Sequence, residues 1–145
     1  MKIFITASEY FAAYIDHPAL TDEIRMNADT LLEKLNARME EMEASTVAFE
    51  TNTHEGTPHF GTFISGQGNG GWRPPECLIG ALHSRHKQGK ACDVKDANGQ
   101  ADAYWDDHPG GLAAHGMARE DPGSTDGWCH MQDGLPASGH ETFIP

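Results

Sequence analysis

The sequence predicts an α+β domain, a helical N-terminal third joined to a compact mixed remainder. Leu20, Ile24, Ala28, Leu31, Leu35, Met39 and Met42 recur at three- and four-residue steps with charges between them, the period of one buried helix face. After residue 45 the texture changes to short segments rich in Gly and Thr, which disfavour a stable helix. Near the C-terminus, "GWCHMQ" reads as a strand. Residues 1–145 form a single domain in this reading: the length suffices for one hydrophobic core and is short for two, and neither a repeat nor a linker breaks the chain.

Taken in order, residues 1–17 supply a short strand or docking segment followed by a helical turn. The long amphipathic helix is expected over 18–44. Pro18 suits its start, where a missing amide hydrogen costs nothing, and Asp22 and Glu23 favour the positive end of a helix dipole. Its methionines read as core filler. "TVAFETN" can form a strand, and residues 71–94 alternate short segments and turns. "QADAYWDDHP" contains a short helix, "GGLAAHGM" is a further helical turn or an exit from it, and "PASGHETFIP" is a tail that must dock.

Composition narrows the partners. The net charge is −12, from 22 acidic and 10 basic side chains, and no Lys/Arg cluster offsets it. A nucleic-acid backbone or an anionic membrane is therefore a poor partner. No apolar stretch approaches the roughly 20 residues that cross a bilayer, so no stable membrane insertion is expected. The start "MKIFITASEY" turns polar too soon for a secretion signal, which implies synthesis in the cytoplasm. Cys77, Cys92 and Cys129 do not make a disulfide framework. Nothing in the sequence marks a self-complementary face.

Among nine histidines, His17 and His108 each precede a proline and read as turn residues, while His54 and His59 lie in a polar glycine-rich loop. His86 and Asp93 are better candidates. An imidazole and a carboxylate can hold zinc while a third ligand leaves one position for water; ordinary surface polarity is the competing reading. Their seven-residue gap fits a loop that leaves a first strand, turns through Gly89 and returns on a second, with Ser84 on the same side as His86 if that segment is extended. In "TDGWCHMQ", strand alternation puts Trp128 and His130 on one face and turns Cys129 and Met131 to the core, with a thiolate ligand at Cys92 or Cys129 as the alternative to a buried, inert thiol. Asp126 sits at the preceding turn. Arg73, held extended by Pro74, can clamp a substrate carboxylate or an oxyanion, or form a surface salt bridge.

"GGWRPPE", "SRHKQGKACDV" and "GWCHMQ", in that order, resemble the zinc D-Ala-D-Ala carboxypeptidase and L,D/D,D-endopeptidase family, which includes phage endolysins. Ser84, His86, Gly89, Ala91 and Asp93 match the family pattern Ser-x-His-x-x-Gly-x-Ala-x-Asp in full, and the likeness spans about residues 64–132. The resemblance implies zinc ligands at His86, Asp93 and His130, and a substrate-side arginine at Arg73. It implies an α+β fold whose helices surround a small antiparallel sheet carrying the zinc site. It further implies hydrolysis of peptidoglycan stem peptides, at a terminal D-Ala or an internal bond. The setting would be the periplasm or cell wall, reached by holin-type release or as part of a virion.

One position departs from the pattern. Members often carry a catalytic carboxylate three residues before the last histidine, where this chain has Gly127. Asp126 then becomes the expected proton acceptor, with Glu120 and Asp121 behind it. Ser84 and Trp128 would contact the peptide, and His83 or His115 could support the ligands. Two rivals remain: a catalytically weak zinc-binding assembly protein on the same fold, and a metal-free acidic interaction domain.

Overall fold

A computed structural model describes residues 2–45, 52–54, 57–59, 70–79, 84–96 and 99–145. Among them, three α-helices and a four-stranded sheet form a mixed α+β architecture, accompanied by a separate two-stranded hairpin. Helix α1 spans Ala7–Phe11, α2 Asp22–Ala44 and α3 Gln100–Asp106. Strands β1 (Asn52–His54) and β2 (Thr57–His59) pair with each other. The main sheet runs in the order β3 (Ala91–Lys95), β5 (Trp128–Asp133), β4 (Met117–Glu120), β6 (Thr142–Phe143). Most of the strand expected over "TVAFETN" lies outside the described residues, as do residues 64–69 of the motif-bearing stretch.

The sheet is not wholly antiparallel. β5 pairs antiparallel with both β3 and β4, but β6 joins β4 in parallel. The docking tail accounts for this: it returns along the open edge of β4, where the Arg119 and Asp121 amides donate to Glu141 O (2.8 Å) and Phe143 O (2.7 Å).

The N-terminal segment docks without forming a strand. Phe4 and Ile5 are buried, and the buried Asn36 of α2 accepts from both their amides (2.8 and 2.9 Å) and donates to Ile5 O (3.0 Å). One side-chain amide thus replaces the ladder partner those groups would lack. Helix α1 follows behind a Thr6/Glu9 capping box. Helix α2 begins four residues later than Pro18, because Thr21 is extended and its hydroxyl accepts from Ile24 N (3.2 Å), while His17–Leu20 close a separate turn. Its expected face is the buried one: Ala28, Leu31, Leu35, Met39 and Met42 pack in one core with Cys92 and Val94 of β3, Cys129 and Met131 of β5, and Met117 of β4. Even-numbered residues of β3 and odd-numbered residues of β4 and β5 therefore face the helices. The other sheet face is left for polar groups. Among the described residues no helix is long and apolar enough to cross a membrane.

Candidate metal centre

Asp93 and His130 are directly opposite each other on β3 and β5. The Asp93 amide donates away from β5, to Gly70 O (2.8 Å). The pair is therefore of the non-hydrogen-bonded kind, which brings side chains closest. His130 Nδ1 lies 2.8 Å from Asp93 Oδ1. His86 arrives from elsewhere. Instead of a strand, residues 85–89 form a turn in which the Gly89 amide donates to His86 O (3.2 Å) and Gly89 has a φ of +74°. A Cβ on Gly89 would stand 2.8 Å from Ile24 O, so this turn is pressed against the start of α2. It brings His86 Nε2 to 3.3 Å from the same Asp93 oxygen.

The far nitrogen of each ring is held. His86 Nδ1–H donates to Gly71 O (2.8 Å), and His130 Nε2–H donates to Gln132 Oε1 (3.1 Å). This directs His86 Nε2 and His130 Nδ1 inward as ligands. His86, Asp93 and His130 are all buried, with one donor atom from each lying within 4.8 Å of the others. Zinc–ligand bonds of about 2.0–2.1 Å in a tetrahedron place donors roughly 3.3 Å apart. The His86–Asp93 spacing has that value, and the His130–Asp93 hydrogen bond would open slightly. Two imidazole nitrogens and a carboxylate oxygen fit a divalent transition metal, and the group could hold one.

Electrostatics agree. Burial alone would push the Asp93 carboxyl up, but the charge of His86 and hydrogen bonds from both rings outweigh it and hold the group well below the carboxylate range. For His130, burial opposes protonation, yet the Asp93 carboxylate and the charge of Glu120 raise its pKa. A cation competes with the Nδ1 proton for this position.

The other expected residues divide. Arg73 is buried behind Asp93: its guanidinium donates to Asp93 Oδ2 (3.3 Å) and Ile79 O (3.4 Å), so it orients the ligand carboxylate. Ser84 accepts from the His86 amide (3.2 Å) and shapes the turn. Trp128 is half-buried opposite Lys95, and the ring set edge-on to His130 is Phe143, 6.1 Å away between centroids. Asp126 is exposed and borders a groove of about 360 Å³ with Asp96, Asp102, Asp106 and Thr125, a lining that includes none of the three ligands. His115 is exposed, in a groove with Lys34 and Arg38, and His83 lies outside the described residues.

Glu120, held behind Asp126 in the sequence reading, closes β4 on the sheet face that carries Asp93 and His130. The β4–β5 register runs Met117↔Asp133, Ala118↔Gln132, Arg119↔Met131, and strand alternation turns Glu120 to the same sheet face as His130. Its charge is felt by the His130 ring. As the alternation implied, Cys129 and Cys92 are buried on the opposite face, where burial raises both thiol pKa values well above normal. Cys77, Cys92 and Cys129 are all free thiols. No family model, curated protein or solved structure matches the chain.

Proposed function

We propose that the protein is a zinc-dependent peptidase that hydrolyses an amide bond in peptidoglycan stem peptides. The observation that carries this reading is the convergence of His86 Nε2, Asp93 Oδ1 and His130 Nδ1, with the far nitrogen of each ring engaged elsewhere. Two nitrogens and one oxygen suit zinc and leave a position for a reactant. When bound, the ion supplies Lewis acidity that acidifies water and polarises a carbonyl. Glu120 accepts the proton of the attacking water and returns it to the leaving amine. Arg73 keeps the Asp93 carboxylate aimed, and Phe143 forms an apolar wall beside His130. The ordered motifs around Arg73, His86 and His130 support the cell-wall substrate, and with it action at the wall after holin-type release or from a virion.

A second reading, a zinc-binding protein without turnover, is favoured by the burial of His86, Asp93 and His130 and by the absence of all three from the groove that Asp126 lines. Purified peptidoglycan of several wall types, digested with zinc-loaded protein and analysed by mass spectrometry, separates the two. Stem-peptide cleavage should fall about 100- to 10,000-fold in Glu120→Gln and persist in Asp126→Ala. Cleavage lost only in Asp126→Ala would overturn the assignment of Glu120. A fully zinc-loaded protein that releases no product would establish the second reading.

A further inference from the structure

Gln132 lies on the metal-facing side of β5, two residues beyond His130, and is buried. Its amide is fixed at both ends. Nε2 donates to Gly134 O (3.0 Å), which obliges Oε1 to face the His130 ring and accept from Nε2–H at 3.1 Å. The anchor is itself held, because Gly134 has a φ of +100° and its amide donates to Gly116 O (2.7 Å).

We infer that Gln132 is a positioning residue: it dictates that His130 ligates through Nδ1. An imidazole offers a cation either nitrogen, and the two choices place the metal on different sides of the ring. With Nε2–H bound to Gln132, Nδ1 remains, and it is the atom opposite Asp93 Oδ1. The glutamine plays toward His130 the part that Gly71 O plays toward His86, with one difference. A backbone carbonyl cannot be removed by substitution, whereas a side chain can, so the orientation of His130 is the one that mutation can test. This inference rests on the metal-binding reading above.

The test is zinc affinity of the full chain, by competition with a chromogenic chelator, for the parent, Gln132→Leu and Gln132→Glu. The expected result is one zinc per parent chain, affinity reduced about 10- to 100-fold in Gln132→Leu, and recovery in Gln132→Glu, which restores an acceptor of similar shape. Heteronuclear NMR of the zinc-loaded parent should find the remaining His130 ring proton on Nε2, a readout that needs no variant to fold. Equal affinity in the parent and Gln132→Leu, or metal on Nε2, would overturn the inference and leave the metal site standing. A parent chain that takes up no zinc would overturn both.

Discussion

Two groups of buried charge lie on opposite faces of one four-stranded sheet. On the helix side, Arg119 donates to the carboxylate (2.8 Å) and carbonyl (3.0 Å) of Asp102 and to the Asp106 carboxylate. On the other side, Arg73 donates to Asp93, whose second oxygen meets both His86 and His130. Each group joins an arginine to buried aspartate, but they end differently. The Arg119 cluster binds α3 to β4 with fixed charges. The Asp93 cluster ends in two imidazoles whose outer nitrogens are occupied and whose inner nitrogens face one carboxylate oxygen. Buried charge of the first kind serves the fold; the second kind presents lone pairs that a cation can share.

The comparison is broken most severely by removing an arginine. Arg119→Ala leaves Asp102 buried without its partner and should cost about 3–5 kcal/mol, read by denaturant unfolding, with zinc stoichiometry unchanged in the folded fraction. Asp93→Asn should do the reverse in emphasis: zinc affinity falls by more than the roughly 100-fold typical of losing an outer partner, measured by chelator competition.

Acid sharpens the contrast in metal-free protein. The Asp93 carboxyl is held below its unfolded value, so its contribution to stability is present above the unfolded pKa of about 3.9 and is lost as pH falls toward its folded value. Asp102 is shifted the other way, chiefly by burial, so acid relieves a penalty there. Stability measured on descending from about pH 4 should therefore drop less steeply in Asp93→Asn than in the parent. The smallest effect belongs to a residue in neither group. Asp126→Ala should change stability by no more than about 0.5 kcal/mol and leave zinc affinity intact, checked by thermal unfolding and the same chelator.

The convergence of His86, Asp93 and His130 was legible because local rules reach these residues. His86 and Asp93 stand in a dense motif, and simple alternation aims His130 away from Cys129. Helix α2 was legible by its period, apart from a start set by Thr21 and not by Pro18. The order of the carboxylate candidates, Asp126 before Glu120, followed chain proximity, which misleads there. Alternation would carry Asp126 onto the face of His130, but Gly127 has a φ of +95°, which breaks the extended backbone just before β5 begins. Glu120 comes near His130 only through the register of β4 on β5, and that register is made by a turn and a long-range pairing that no spacing in the sequence encodes. Arg73 was singled out for its charge, but whether it would face solvent or lie behind a ligand depends on packing. The edge strand β6, and with it Phe143, is likewise a product of where the tail returns.

Gly71 ties the candidate metal centre to a helix that contributes none of its three residues. A Cβ there would fall 1.9 Å from Tyr10 O, and the Trp72 amide donates to that same oxygen (3.1 Å), so residues 70–73 lie hard against α1. The Gly71 carbonyl in turn fixes His86. A fragment cut to residues 64–132 would retain every ligand and every recognisable motif, yet lose the abutment that sets the angle of one of them. The smallest working unit of this protein is longer than its signature.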